Sequence, residues 1–305
     1  MTIEQIYKEY LDQLKNIYDE REASNIADWV FENITGLKKI DRTLKKQAQL
    51  SNTTVEQLSS ILAQLLQHKP VQYVLSEAWF YKMKLFVNEH VLIPRPETEE
   101  LVEWIIEGVR SEMYDAGSTM YDVRNIKASL SPATNQKLDI LDIGTGSGCI
   151  AIALKKELSN SNILGVDVSV EALSVAKQNA TSQNINIDLL QIDFLNEGNW
   201  NELPTFNIIV SNPPYIPEKE KNVLDKNVVA YEPHSALFVS NDDPFIFYKK
   251  MVEFALEHLN TRGTIYVEVH EEYASEVTAI FSKYQFTSII KKDMYGRERM
   301  IRAQR

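Results

Sequence analysis

Apolar residues fall into two textures along this chain. Over the first 68 residues they recur at helical spacing: Ile3, Ile6, Tyr7, Tyr10, Leu11 and Leu14 share one face of a helix. Thr2, followed by Gln5, forms a capping box that satisfies amides of the first turn. Ala27, Val30, Phe31 and Ile34 make a second stripe, which stops at Gly36, a residue suited to the left-handed end of a helix. Val55, Leu58, Ile61, Leu62, Leu65 and Leu66 make a third, entered through the capping pair Thr54 and Gln57. Residues 1–68 therefore read as a small helical bundle.

Past Pro70 the pattern changes. Segments 71–75 and 79–93 are rich in Val, Tyr, Phe and Leu, which predicts strands and a hairpin. Pro94 and Pro96 keep residues 93–98 from being helix interior, because each removes an amide and restricts its predecessor. A helix starts near Thr98 and carries Leu101, Val102, Ile105 and Ile106. Residues 111–137 are polar and without period, which predicts an exposed insertion. From 138 onward short apolar runs (138–143, 163–168, 189–192, 206–210 and 264–269) alternate with helical patterns at 149–158, 170–182 and 244–260. That alternation predicts a parallel sheet covered on both faces. Runs 286–291 and 299–303 have no helix between them and should pair as a hairpin. The chain reads as a helical cap on an α/β domain, without internal repeats.

Composition narrows the class. The 305 residues, 44% of them hydrophobic, suit about two globular domains. With 43 Asp and Glu against 32 Lys and Arg, the net charge is −11, which argues against a protein that coats a phosphate backbone. Paired lysines such as 38–39 and 155–156 are scattered and read as solvated faces. A single cysteine, Cys149, excludes an intrachain disulfide and a multi-cysteine zinc site, and reads as a packed side chain. The histidines (His68, His90, His234, His258 and His270) lack metal-binding spacing, so no metal is expected. The N-terminal residues do not have the basic and then apolar regions of a signal peptide, and no apolar run approaches the roughly 20 residues that span a bilayer. A cytoplasmic protein without membrane contact is the expectation.

Two constellations carry chemistry. The first, Leu141-Asp142-Ile143-Gly144-Thr145-Gly146-Ser147-Gly148, runs from a strand into a helix. Its glycines permit a tight turn and close approach of a ligand to the backbone. Asp167 closes the next strand, where a carboxylate can accept hydrogen bonds from ribose hydroxyls, and Asp193 and Phe194 follow the third strand, where an adenine would lie. The G-x-G-x-G spacing departs from the dinucleotide fingerprint and favours S-adenosylmethionine over NAD.

The second is Asn212-Pro213-Pro214-Tyr215, at the end of the fourth apolar run. The prolines hold the chain extended with carbonyl oxygens outward, Asn212 adds an acceptor, and Tyr215 offers an aromatic face. Such a set grips a planar NH₂ group. An amide or aniline-like nitrogen is a poor nucleophile because its lone pair is delocalised. Hydrogen bonds that draw its hydrogens out of plane localise the pair on nitrogen, an interaction stronger in the transition state than in the ground state. Tyr231-Glu232-Pro233-His234 reads either as a border of the substrate cleft or as a surface turn.

Together with Pro70-Val71-Gln72-Tyr73, Leu92-Ile93-Pro94-Arg95-Pro96-Glu97-Thr98-Glu99 and Asp293-Met294-Tyr295-Gly296-Arg297-Glu298-Arg299, these motifs resemble the HemK/PrmC family of peptide chain release factor glutamine methyltransferases. The resemblance covers residues 68–305 specifically and the helical N-terminus in general character. It implies a Rossmann-like methyltransferase domain over 98–305, with a seven-stranded, mostly parallel sheet ending in an antiparallel hairpin. It also implies a helical substrate-docking domain over 1–68 and a linker with a β-hairpin over 69–97. The implied reaction is S-adenosylmethionine-dependent methylation of the glutamine amide in the Gly-Gly-Gln loop of class I release factors; a monomer is expected, and the acidic balance argues against a DNA partner. Gly144, Thr145, Gly146, Ser147, Gly148, Asp167, Phe194 and Asn212 would hold the cofactor. Asn212, Pro213, Pro214 and Tyr215 would hold the glutamine, with Asn212, Pro213 and Tyr215 catalytic, and Arg95 and Glu97 near the entrance.

Ser76 where the family often has glycine, the turn Asn241-Asp242-Asp243-Pro244, and the length of 111–137 depart from the family pattern and bear on loop shape and docking. Three alternatives stay open: a glutamine methyltransferase acting on a ribosomal protein, a nucleic-acid adenine amino methyltransferase that flips its base, and a non-catalytic binder of S-adenosylmethionine.

Overall fold

The computed structural model describes residues 1–115 and 137–305, so the greater part of the expected insertion lies outside the described residues. The chain folds as two compact units. The first comprises Met1–Glu77, Val87–Glu89 and Val223–Glu232. It holds helices α1 (Ile3–Leu14), α2 (Glu20–Thr35), α3 (Lys39–Leu44), α4 (Asn52–Leu65) and α5 (Val71–Leu75), with α9 (Lys226–Tyr231) coming from far along the sequence. The Thr2–Gln5 capping box forms in both directions, and Gly36 ends α2 at φ 70°. Phe31, fully buried, receives the edges of Tyr7 and Tyr10 with centroids 5.1 and 5.5 Å away. Asp28 gathers the Tyr7 hydroxyl, Arg42 and Lys39, while Glu77 accepts from Trp29 Nε1 at 2.6 Å and Asn33 Nδ2 at 2.8 Å.

Two elements of this unit differ from expectation. Helix α4 starts before Thr54, because the Ser51 hydroxyl accepts from the Thr54 amide and caps the helix earlier. Segment 71–75 is helix, not strand. The Pro70 carbonyl accepts from the amides of Tyr73 and Val74, and Val71, Val74 and Leu75 pack on the bundle core at helical spacing. Ser76 ends the turn in the left-handed region at φ 53°.

The second unit comprises Ala78–Phe86, His90–Asn222 and Pro233–Arg305. Strands β1 (Ala78–Phe80) and β2 (Met83–Leu85) form an antiparallel hairpin, shorter than the 79–93 expected. Helix α6 (Pro96–Asp115) begins two residues before Thr98, since proline fits a first helical turn whose amide lacks a partner anyway. It also runs through 111–115, the first residues of the segment expected to be an insertion.

The main sheet is built from β3 (Leu138–Ile143), β4 (Ser161–Asp167), β5 (Asp188–Gln191), β6 (Phe206–Ser211), β9 (Leu259–Glu268), β10 (Thr287–Lys292) and β11 (Glu298–Gln304). A separate pair joins β7 (Ile216–Pro217) to β8 (Phe238–Val239). The seven-stranded order is β10-β11-β9-β6-β3-β4-β5. Pairings from β9 through β5 are parallel, and β10–β11 and β11–β9 are antiparallel. Alternate residues feed opposite cores, so the strands read as continuous apolar runs: Ile209 joins one cluster while Ile208 and Val210 join the other. Helices α11 (Ile246–His258) and α12 (Ala274–Lys283) cover the first face; α6 and α7 (Cys149–Glu157) cover the second. Helix α11 ends before the expected residue 260, because β9 starts at Leu259. The remaining helices are α8 (Val170–Ser182) and α10 (His234–Leu237).

Candidate active site

Strand order reverses between β3 and β6, and a crevice at the carboxyl ends of the strands follows at such a switch point. A cavity of about 280 Å³ lies there. Its walls include residues 144–147 of the glycine turn, Asp167 at the end of β4, Asp193 and Phe194 after β5, and Asn212 and Pro214 after β6.

The turn is held in several ways. Gly144, Gly146 and Gly148 have φ of 70°, 54° and 78°, a region other residues enter at a cost. At Gly148 a Cβ would also sit 3.1 Å from both Ala176 Cβ and Ile152 Cδ1. Asp142, fully buried beneath the turn, accepts from Thr145 Oγ1 at 2.7 Å. The Asp167 carboxylate accepts from the Gly146 amide at 2.9 Å and from the Ser169 amide at 3.0 Å, one bond to each oxygen. Each oxygen keeps a further lone pair, so the fixed carboxylate can still accept from a vicinal diol. Asn179 on α8 ties this wall to the loop after β2: its amide group donates to the Ser147 and Phe86 carbonyls and accepts from the Phe86 amide.

At the opposite wall, Asn212 Nδ2 donates to Thr98 Oγ1 at 3.1 Å, and Thr98 Oγ1 donates to Glu268 Oε2 at 2.7 Å. The Tyr215 hydroxyl donates to Glu268 Oε1 at 3.3 Å. Both ends of Asn-Pro-Pro-Tyr thus meet at one buried carboxyl group. Burial pushes Glu268 up to about 7; Thr98 and Arg299 pull it down, Glu97 pushes it up, and Tyr215 again pulls it down. Burial likewise raises Asp142 to about 7, opposed by Thr145. Burial also pushes the Cys149 thiol up to about 12, which leaves it unreactive.

Raised carboxyl groups stabilise the fold at low pH, since the folded state holds their protons more tightly than the unfolded chain does. That contribution disappears as pH rises through their folded values of about 7. The thermal midpoint should therefore fall between about pH 6 and about pH 8, and Glu268→Gln should make the fall smaller. Calorimetry of both proteins checks this; an equal fall in both would refute the contribution of Glu268.

The structure does not treat all expected site residues alike. Gly144, Thr145, Gly146, Ser147, Asp167, Phe194, Asn212, Pro214 and Arg95 line the cavity. Gly148 sits behind the turn as the cap of α7, and Pro213 is buried. The Phe194 ring lies mostly in the core, its centroid 5.5 Å from that of Trp200 and 5.3 Å from that of Phe254. Tyr215 packs on the same core with its hydroxyl toward Glu268, and Glu97 lies in the first turn of α6. From Tyr231-Glu232-Pro233-His234 nothing lines the cavity, although the next two residues, Ser235 and Ala236, do. Sequence reasoning missed Thr98 and Glu268 as site residues. The available signal was an acid inside the apolar run Ile265-Tyr266-Val267-Glu268-Val269. Among the described residues no group of three or more His, Cys, Asp and Glu side chains could hold a metal ion, and no helix is long and apolar enough to cross a membrane.

A glycine turn and a strand-end carboxylate facing a motif suited to gripping NH₂ define an α/β domain of the methyltransferase class. The family model for the methyltransferase small domain matches residues 111–232, and that for the PrmC N-terminal domain matches 5–75. A release factor glutamine methyltransferase from Flavobacterium psychrophilum is 39% identical over 303 residues, 99% of each chain. One from Streptococcus pneumoniae is 34% identical over 304 residues, 99% of this chain and 98% of that one. A methyltransferase of known structure from Pyrococcus furiosus aligns at a TM-score of 0.49 with 17% identity, over 81% of this chain and 98% of the other. The chain belongs to the release factor glutamine methyltransferase family.

Proposed function

We propose that this protein transfers a methyl group from S-adenosylmethionine to the side-chain amide nitrogen of the glutamine in the Gly-Gly-Gln motif of class I peptide chain release factors. The observation that carries the reading is Asn212, at the carboxyl end of β6, lining the same cavity as the glycine turn and Asp167. Relatives 34–39% identical over nearly the whole chain, named for this activity, support the substrate.

The donor set fits the cofactor. The turn around Gly144 to Gly148 leaves room for close approach to the backbone, Asp167 can take the ribose hydroxyls, and Phe194 and Asn212 flank the remainder. When bound, S-adenosylmethionine supplies an electrophilic methyl carbon and a sulfur that keeps the bonding pair. Asn212 Oδ1 accepts one hydrogen of the substrate NH₂, and a carbonyl of the Pro-Pro segment takes the second. Drawing both hydrogens out of the amide plane localises the nitrogen lone pair toward the methyl carbon. No strong base is required beforehand, because the proton becomes acidic once nitrogen carries the methyl and then passes to solvent water. The first unit serves to grip the protein substrate, and the place of release factors in translation puts the reaction in the cytoplasm.

The test is methyl transfer from labelled S-adenosylmethionine to a purified release factor, beside the same factor with its Gly-Gly-Gln glutamine replaced and beside duplex DNA. Label confined to the intact factor is expected. Equal label on the replaced factor, or label on DNA, overturns the reading.

A further inference from the structure

We propose that Glu268 is a positioning residue for methyl transfer, its carboxylate fixing, through the Thr98 hydroxyl, which edge of the Asn212 amide faces the cavity. The inference rests on the reaction proposed above and adds a residue and a reason for its presence.

Hydrogens at Thr98 can be counted one by one. Its Oγ1 carries one proton and has two polar neighbours, Glu268 Oε2 at 2.7 Å and Asn212 Nδ2 at 3.1 Å. An ionised carboxylate has no proton to give, so the hydroxyl must donate to it. What remains toward Asn212 is a lone pair, and only the NH₂ edge of an amide can satisfy a lone pair. The Asn212 oxygen is thereby turned away from Thr98, where it can accept from a substrate NH₂. Without this constraint the two edges of an asparagine amide are nearly equal in shape, and the wrong edge presents a donor to a donor.

The second carboxylate oxygen performs a parallel task. Glu268 Oε1 accepts from the Tyr215 hydroxyl at 3.3 Å, which holds the far end of Asn-Pro-Pro-Tyr from the same point. Thr98 and Glu268 are 2% and 1% exposed, so water does not compete for these bonds. Burying this acid costs free energy that its two hydroxyl hydrogen bonds offset in part, and both of those bonds lead to one four-residue motif. Around it, Glu97 on α6, Cys149 on α7, Tyr215 after β6, Tyr248 on α11 and Arg299 on β11 are the titratable and charged groups. Arg299 favours the ionised state and Glu97 opposes it.

Adding a proton to Glu268 removes the constraint. A carboxylic acid can donate to Thr98 Oγ1, whose own proton is then free to point at Asn212 and invert its amide. Turnover should therefore require the ionised form. At saturating cofactor it should fall on acidification with a midpoint near the Glu268 value of about 7.

The experiment uses the full chain and pairs turnover with a measurement that needs no substrate. In ¹⁵N-labelled protein the Asn212 side-chain amide resonances, assigned by their loss in Asn212→Ala, should shift with pH in the wild type and hold still in Glu268→Gln. In single-turnover methyl transfer, Glu268→Gln should lose about tenfold in rate at about pH 8 and lose the acid limb altogether. Thr98→Val should lose a similar factor, and Thr98→Ser, which restores the hydroxyl, should return to within about threefold of wild type. A merely structural role for Glu268 would lower stability without abolishing the acid limb. The proposal is overturned by an acid limb that persists in Glu268→Gln, by wild-type turnover in Thr98→Val, or by Asn212 resonances indifferent to pH in the wild type. A wild type that fails to label the release factor while its Asn212 resonances titrate as described overturns the proposed substrate and upholds the positioning role.

Discussion

Asn212→Ala should lower the rate of methyl transfer about 10²- to 10³-fold while leaving affinity for S-adenosylhomocysteine within about threefold of wild type. The asymmetry follows from where the side chain acts. Under the proposed reaction its oxygen is one of two acceptors that draw the substrate hydrogens out of plane, and that interaction strengthens as the nitrogen pyramidalises, so its loss falls on the chemical step. Under the proposed reaction cofactor affinity rests chiefly on the glycine turn and Asp167, which line the same cavity as Asn212. Removing the amide also leaves the Thr98 hydroxyl lone pair without its donor at a site closed to water, a fault in the wall more than in the fold. Single-turnover transfer at saturating cofactor, with calorimetric titration of S-adenosylhomocysteine, separates the two effects. Unimpaired turnover would show that the amide grip is not how this site activates its substrate.

Asp167→Ala should have the opposite profile, with cofactor affinity down by about 100-fold or more. Hydrogen bonds to a charged group contribute about 1.5–3 kcal/mol each, and a ribose diol makes two. The loss compounds itself, because Asp167 also accepts from the amides of Gly146 and Ser169. Without it the turn loses a tether at a residue with positive φ, and a cofactor would have to order that turn on binding. A thermal-shift titration reads the effect directly, since stabilisation by a ligand grows with the ratio of its concentration to its dissociation constant. S-adenosylhomocysteine at millimolar concentration should raise the wild-type midpoint by several degrees and leave that of Asp167→Ala nearly unmoved. An unchanged response would remove Asp167 from the cofactor site.

These two residues were legible in the sequence for a common reason. Each ends an apolar run, and in a parallel sheet the carboxyl end of a run is where the crevice lies, so a polar residue there announces itself. The glycine turn and Asn-Pro-Pro-Tyr are contiguous and can be read as strings. Thr98 and Glu268 were not legible that way. They meet only because α6 packs against the face of the sheet that carries β9. The acid within the apolar run 264–269 was a visible anomaly, but nothing in the string named its partner. Errors in the elements have equally local causes. Over 71–75 the strand propensity of Val and Tyr was outweighed by the Pro70 carbonyl and by a stripe at 71, 74 and 75 that suits a helix. At α4 a better-placed hydroxyl, Ser51, pre-empted Thr54 as the cap.

The hydrogen bond between Thr98 and Glu268 spans 170 positions of sequence. During synthesis the glycine turn, Asp167 and Asn-Pro-Pro-Tyr all leave the ribosome before Glu268 exists. Contacts of such separation also form late, because the loop they close must be ordered first. A chain grown as far as Tyr215 thus carries the glycine turn, Asp167 and Asn212 and still lacks the carboxylate that fixes the Asn212 amide. The residues proposed to hold the cofactor all precede β9 in the chain, and the group that orients Asn212 belongs to it.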